Sequence, residues 1–162
     1  SKFLNLLYHI IVPELGRTFS EVKIANLKNL PIKEISSESQ LPFIVKADQM
    51  LSLNKQLQEK KNKFLNRIKS NLEIEKITRK LDAFYNFDFK NFLAELKKQK
   101  IKLSLKQQDE WEDYFSSYKK EINELQFQIN KTDNEIDRMV YELYGLTEDE
   151  IKIVEESSKT NN

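Results

Sequence analysis

The residues best suited to contact a ligand lie near the N terminus, around one predicted strand and the turn before it. They combine cations with hydroxyl groups: Arg17, Thr18, Ser20, Lys23 and Lys28. Such groups bind phosphate oxygens, and they have only limited reach to base edges. The set therefore predicts contact with a nucleic-acid backbone. A solvated loop beside an edge strand would have the same composition.

Metal-dependent hydrolysis has weaker support. Two sets of residues follow the acidic–acidic–lysine order of metal-dependent nucleases: Glu14, Glu21 and Lys23, and Asp88, Glu95 and Lys97. Such a site needs its last acid and its lysine on one strand, but the second set falls on a predicted helix. We interpret both sets as chance matches, and a nuclease using the first set is kept as an alternative hypothesis.

No catalytic residue, metal ligand or cofactor site is predicted in this chain. It has no cysteine and one histidine, His9, so a histidine or cysteine partner for a metal is lacking. With only two glycines, Gly16 and Gly145, it cannot form a glycine-rich phosphate loop. The acidic groups at 109–113 and 148–150 fall at predicted helix starts, where negative charge is favourable.

Composition restricts the kinds of partner. The 162 residues suffice for one domain, and 27 Lys and Arg nearly balance 26 Asp and Glu, so any surface for nucleic acid must be local. A lysine run is more typical of a solvated face than of a DNA contact: Lys97, Lys98, Lys100, Lys102 and Lys106. No apolar stretch reaches the roughly 18–20 residues of a membrane span. We expect a cytoplasmic protein without a membrane partner.

The strongest structural signal is an apolar repeat, the 111–143 stripe, whose members are separated by alternating steps of four and three. They are Trp111, Phe115, Tyr118, Ile122, Leu125, Ile129, Thr132, Ile136, Met139 and Leu143. This spacing is typical of a coiled-coil seam. A weaker stripe runs from Phe43 to Ile68, and its polar interruptions, Asn54 and Lys61, could fix the register of a helix pair. The sequence predicts a mainly α fold, with a long antiparallel helical hairpin and a helical insert at its tip.

Capping residues set the predicted boundaries. The hairpin pairs about 41–80 with about 104–144, and the insert covers about 73–110. Helix starts are predicted at one aspartate and two capping boxes: Asp88 before a helix over 89–98, Ser104 with Gln107, and Thr147 with Glu150. Gly145 suits the position after a helix end.

The N-terminal region is predicted as a small remnant, with a helix from Ser1 to Ile11 and a strand between Thr18 and Leu27. Residues 36–40 form a polar break. The predicted organisation is therefore an N-terminal part over 1–36, the hairpin over 37–156 and a disordered tail over 157–162. Because the chain begins at Ser1 without Met, we expect it to be a piece of a longer protein.

Two segments resemble restriction–modification proteins of bacteria. TFSEVKIANLKNLPIKEIS (18–36) followed by QLPFIVKADQML (40–51) resembles the closing part of a target-recognition domain, with its L-x-x-L-P-I exit at 27–32. EIDRMVYELYGLTEDEIKIVE (135–155) resembles the C terminus of adenine-specific DNA methyltransferases with a TaqI-like specificity domain. Many of these are type IIG enzymes, which fuse restriction and modification in one chain. The insert over 80–115 resembles an elaboration of larger members.

The resemblance implies a C-terminal specificity segment of an N6-adenine methyltransferase, with or without endonuclease activity. Residues 1–36 would end the target-recognition domain. The implied partners are double-stranded DNA and an upstream catalytic domain or partner subunit, and S-adenosylmethionine would be the parent's cofactor. The family's Asn/Asp-Pro-Pro-Tyr/Phe motif and glycine-bearing cofactor loop are not in this chain, so no catalytic residue is assigned.

Two alternatives use the same residues. A type I restriction specificity subunit shares the exit-and-helix arrangement of 27–51. A structural coiled-coil module for protein–protein contact would need only the two stripes, and it would self-associate through the 111–143 stripe without binding DNA.

Overall fold

The computed structural model describes residues 1–11 and 24–160, which are mostly helical. The helices are α1 (Lys2–Ile11), α2 (Ile24–Leu27), α3 (Ser37–Asn71), α4 (Arg79–Asp82), α5 (Phe89–Lys98), α6 (Leu105–Tyr144) and α7 (Glu148–Thr160), with a 3₁₀ turn at Phe84–Asn86. No strand occurs within the described ranges. The predicted mainly α fold is confirmed.

The chain divides into two compact units. Unit 1 comprises Ser1–Asp48 and Lys131–Asn162, and unit 2 comprises Gln49–Asn130. Helices α3 and α6 each contribute to both units. The boundary predicted between residues 36 and 37 does not coincide with this division, because the first turns of α3 belong to the same unit as α1.

Unit 2 is built on an aromatic core that joins the two long helices to the insert. Its buried members are Phe64, Leu65, Ile68, Ile74, Leu81, Phe84, Phe92, Leu96, Phe115, Tyr118 and Ile122. Phe64 on α3 stacks on Phe84 of the insert, with ring centroids 3.8 Å apart, and contacts Phe115 of α6 edge-on. One turn earlier on α3, Lys60 forms an ion pair with Glu121 of α6. Since the partner number falls as the α3 number rises, the helices run antiparallel in unit 2.

Unit 1 pairs the other ends of the same helices. Lys46 on α3 forms an ion pair with Glu135 on α6 at 2.6 Å. Phe43 lines a groove together with Val140 and Leu143 of α6, so the antiparallel order also holds in this unit. Helix α1 packs against α7.

The 111–143 stripe faces inward, but the polar interruptions of the α3 stripe do not fix the helix pair. Every member of the 111–143 stripe is buried or half-buried. On α3, Leu53 is buried, whereas Asn54 is exposed and donates to the Met50 carbonyl of its own helix. Lys61 forms an ion pair with Asp82 of the insert at 2.6 Å. The predicted register role is therefore wrong for both residues, because neither of these bonds joins α3 to α6.

The predicted caps are confirmed. The Asp88 carboxylate accepts from the Asn91 amide at 2.8 Å and begins α5, and this helix has the predicted bounds. Both capping boxes form: Ser104 with Gln107, and Thr147 with Glu150. Gly145 adopts φ +69°, which is a left-handed conformation that suits glycine after a helix end.

Three predicted boundaries are wrong. Helix α3 begins at Ser37, before the predicted start at Leu41, because the Ser36 hydroxyl accepts from the Ser39 amide as an N-cap. It ends at Asn71 and not near residue 80. The predicted disordered tail is helical over 157–160, while 161–162 lie outside the described residues.

The predicted strand is wrong over residues 24–27, which are the part of it that the structure describes. Residues 24–27 form α2, and the Asn29 and Leu30 amides continue with turn bonds to Asn26 and Leu27. Local turns satisfy backbone groups that an isolated strand would leave without a partner strand. Residues 18–23 lie outside the described ranges.

Candidate functional sites

The residues predicted to contact DNA fall largely outside the described ranges. Arg17, Thr18, Ser20 and Lys23 are among the residues without a description, as are Glu14 and Glu21 of the alternative nuclease set. Lys28 is described, and it is exposed just after α2. The grouping of the five contact residues therefore stays a prediction.

The second nuclease-like set does not form a metal site. Asp88 caps α5, Lys97 is exposed, and Glu95 is buried with hydrogen bonds from Lys98 and Thr78 at 2.6 and 3.1 Å. The bond from Lys98 lowers the pKa of Glu95 against the opposing effect of burial. Among the described residues, no group of three His, Cys, Asp or Glu is placed to hold a metal ion.

Two further signals from the sequence, His9 and the lysine run, lie among the described residues. His9 is half-buried and contacts Tyr8 edge-on, with ring centroids 6.1 Å apart. The five members of the lysine run are all exposed, and Lys98 is engaged with Glu95. Exposure alone does not distinguish a solvated face from a DNA contact, so that prediction stays open.

A polar network in unit 1 attaches α1 to α6 and α7. The Lys2 amide donates to Asp137 at 2.8 Å, and its ammonium lies 3.2 Å from Asp137 and 3.0 Å from Glu155. Tyr141 donates its hydroxyl proton to Glu155 at 2.8 Å. Asp137 is almost completely buried.

The electrostatics of this network favour fully ionised Lys2 and Glu155. Burial opposes ionisation of Glu155, but hydrogen bonds from Tyr141 and Lys2 outweigh it and lower the pKa of the carboxyl group. The pKa of Lys2 is raised, because the two carboxylates outweigh the effect of its partial burial. Burial and the bond to Glu155 raise the pKa of Tyr141. Because Lys2 and Glu155 are both charged and Tyr141 keeps its proton, the network attaches α1 to α6 and α7.

A second attachment in unit 1 holds the segment that precedes α3. The Tyr144 hydroxyl donates to the Pro31 carbonyl at 2.8 Å and accepts from the Lys33 amide at 3.1 Å. The Lys33 ammonium donates to the Leu143 carbonyl at 2.8 Å. Phe3 of α1 contacts the Tyr144 ring edge-on, with centroids 5.0 Å apart. The end of α6 thus fixes the backbone over 31–33.

Beside this attachment lies an open apolar groove of about 780 Å³. Ile32 and Ile44 line it and are 60% and 49% exposed. Val45, on the same turn of α3, is 63% exposed. Unit 1 therefore presents uncovered apolar surface on the first turns of α3.

An aromatic cleft in unit 2 is the site that sequence reasoning missed. Three aromatic residues of α6 line it, together with two cations of α3 and a carboxylate of α6: Trp111, Tyr114, Tyr118, Lys63, Arg67 and Glu110. Burial and a hydrogen bond with Tyr118 raise the pKa of Tyr114 to about 12, and the charges of Arg67 and Lys63 oppose this rise. The two cations thus act directly on the phenol. The closely spaced aromatic residues on α6 were a possible signal for this cleft, but the same spacing is typical of a buried core stripe.

Fold and sites together define an α-helical protein in which two long helices pair in antiparallel order within each unit, and in which a helical insert packs against them in unit 2. The chain belongs to a family described as a domain of unknown function, DUF8810, which matches residues 36–140. No curated protein and no solved structure matches the chain. None of the helices in the described part combines the length and apolar character needed to cross a membrane.

Proposed function

We propose that this chain is a C-terminal specificity and support segment of a restriction–modification N6-adenine DNA methyltransferase. In this proposal it helps to select the DNA site and packs against the catalytic domain or a partner subunit, without performing catalysis. The parent enzyme would be cytoplasmic, would bind double-stranded DNA and would use S-adenosylmethionine to methylate an adenine flipped out of the duplex.

One structural observation supports the proposal most directly. The two segments that resemble restriction–modification proteins are about a hundred residues apart in sequence, yet they contact each other in unit 1. Lys46 pairs with Glu135, and Tyr144 bonds both Pro31 and Lys33 at the L-x-x-L-P-I exit. A shared packing arrangement would explain why one methyltransferase chain carries both segments.

The attachment at Tyr144 also suggests how DNA contacts could be positioned. Lys28 is exposed and lies three residues before Pro31, whose carbonyl is fixed by Tyr144. Because Lys28 is so close in sequence to this fixed backbone position, its side chain can reach only a limited region. A lysine held in this way could contact a phosphate, and phosphate contacts set the register of a protein on DNA. The uncovered apolar groove beside it offers a surface for the catalytic domain or partner subunit.

The first experiment is to sequence the coding DNA upstream of Ser1. An Asn-Pro-Pro-Tyr motif and a glycine-bearing cofactor loop in the same reading frame would support a methyltransferase parent. A start codon immediately upstream would refute the proposal.

The second experiment tests the DNA contacts in the parent enzyme. Reversing the charge of Lys23 and Lys28 to Glu should weaken DNA binding and flatten the slope of log K against log salt by about 1.8, at about 0.9 per phosphate contact. Lys152→Glu with Lys159→Glu on α7 changes the net charge equally and serves as the control. Unchanged binding and an unchanged slope after reversal at 23 and 28 would remove both residues from the contact set.

A protein–protein contact module is the second candidate, favoured by the apolar groove of unit 1. The groove is a better candidate surface than the 111–143 stripe, which is buried or half-buried within the chain. This alternative expects concentration-dependent association in sedimentation experiments, weakened by Ile44→Asp with Val45→Asp, and no effect of DNA at any salt concentration.

A further inference from the structure

Two adjoining clefts of unit 2 share the same two cations. Lys63 and Arg67 lie one helical turn apart on α3, and both line the aromatic cleft. Both also line a polar groove along α3, together with one carboxylate and three neutral hydrogen-bonding side chains: Glu59, Asn62, Asn66 and Ser70. Cations, amides and a hydroxyl are thus continuous with an aromatic surface.

Neither of these two cations is engaged in an ion pair with a described residue. The neighbouring lysines on α3 are engaged, since Lys60 pairs with Glu121 and Lys61 with Asp82. Lys63 and Arg67 are exposed and form no ion pair with a described residue. One carboxylate lines each cleft, Glu110 in the aromatic cleft and Glu59 in the polar groove. Because each cleft holds two cations against one carboxylate, both keep a net positive charge that favours an anion.

The aromatic rings keep accessible surface beside this charge. Trp111 and Tyr114 are half-buried and perpendicular to each other, with centroids 5.6 Å apart. Tyr118 is more deeply buried and contacts the Tyr114 ring, with ring centroids 4.7 Å apart. The inner ring is thus held in place by the core, and the outer rings remain open to the cleft.

We propose that this cleft binds single-stranded nucleic acid, with a base stacked on Trp111 or Tyr114 and phosphates bound by Lys63 and Arg67. Proteins that bind single strands combine a cationic groove with aromatic stacking surfaces in this way. The amides of Asn62 and Asn66 are suitable further donors to phosphate oxygens. Inside a duplex, stacked neighbours cover both faces of each base, so an internal base cannot reach the rings without unstacking. The proposal is independent of the function proposed above, because it uses no residue from 17–28.

The test uses the full 162-residue chain and an oligothymidylate of about 12 nucleotides, within the usual site size of such proteins. Trp111 is the only tryptophan, so its fluorescence reports on the cleft directly. At about 50 mM salt, we expect the oligonucleotide to quench the Trp111 emission in a saturable way. A duplex of the same length should quench much less.

Variants then separate stacking from charge, with affinity measured by the anisotropy of a labelled oligonucleotide. Trp111→Leu should weaken binding about tenfold through the lost stacking surface. Lys63→Gln with Arg67→Gln should flatten the salt dependence of log K by about 1.4, at about 0.7 per phosphate of a single strand. Lys97→Gln with Lys102→Gln removes equal charge at exposed positions outside both clefts, and it should leave the slope almost unchanged.

Thermal unfolding followed by circular dichroism checks that each variant is folded. Three results would overturn the proposal: no quenching and no anisotropy change at low salt, equal quenching by the duplex, or equal losses from the two double variants. The first would leave the cleft as a contact surface for a protein partner, since Trp, Tyr and Arg are also enriched in such contacts.

Discussion

Replacing Phe64 with Ala should destabilise unit 2 more than any other single truncation on α3. Phe64 is completely buried on α3, and its ring contacts rings of both the insert and α6. Its truncation removes the stacked contact with Phe84 and the edge-on contact with Phe115. It also leaves a cavity that the surrounding backbone cannot readily fill, because the insert is attached to α3 through that same ring.

The expected loss can be worked from these contacts. Burial of a phenylalanine side chain contributes about 1.5–3 kcal/mol, and each well-placed aromatic pair adds about 0.5–1.5 kcal/mol. Measured truncations of buried Phe cost about 3–5 kcal/mol because the cavity adds to the transfer term. We expect a loss near 4 kcal/mol, which is a large part of the roughly 5–15 kcal/mol that stabilises a typical domain.

The assay is urea unfolding at equilibrium, followed by Trp111 fluorescence and by far-ultraviolet circular dichroism. Phe127→Ala is the matched control, because Phe127 lies on α6 in the same unit and is 64% exposed. The control should cost less than about 0.5 kcal/mol. A loss below about 1 kcal/mol for Phe64→Ala, or equal losses for the two variants, would refute the described packing of the insert.

Two further predictions concern the polar groups. Asp137→Ala should release α1, because it leaves the Lys2 amide without its acceptor and the Lys2 ammonium without one of its two carboxylates. We expect this variant to lower the free energy of unfolding by about 2 kcal/mol and to speed amide hydrogen exchange over 2–11. Unchanged exchange would contradict the role of the network. The pKa of Glu95 is lowered from 4.5 in the folded state, so its contribution to stability is present above that value and is lost as the pH falls through the folded pKa. Glu95→Gln should therefore destabilise the chain at neutral pH and make its stability less dependent on pH below 4.5, as pH-dependent urea midpoints would show.

Local signals made much of the fold predictable. The caps at Asp88 and Gly145 depend on residues within one helical turn, and they occur where their side chains and spacing indicate. The 111–143 stripe was recognisable because a 4-3 repeat can bury all of its members only on one helical face. Such features need no knowledge of the rest of the chain.

Contacts between distant residues could not be predicted in the same way. Asp137 is 135 residues from Lys2 in sequence. It is a charged neighbour of Ile136 in the stripe, and only its contact with α1 explains why it is buried. Lys61 appeared as an interruption of the α3 stripe, but its partner Asp82 comes from the insert. The aromatic cleft was missed for the same reason, since Trp111 belongs to a core pattern and only the position of α3 places Arg67 opposite its partly exposed ring.

The two units depend on different interactions, and this difference bears on which parts can open. The core of unit 2 consists of interlocked aromatic rings, so its loss requires unfolding of the unit as a whole. Helix α1 is attached in unit 1 partly through Lys2, Asp137 and Glu155. Ion pairs that are partly buried give a small net stabilisation, because the cost of removing water from the charges offsets their attraction. We therefore expect α1 to detach at a lower free energy than unit 2 unfolds, as regions of lower local stability do.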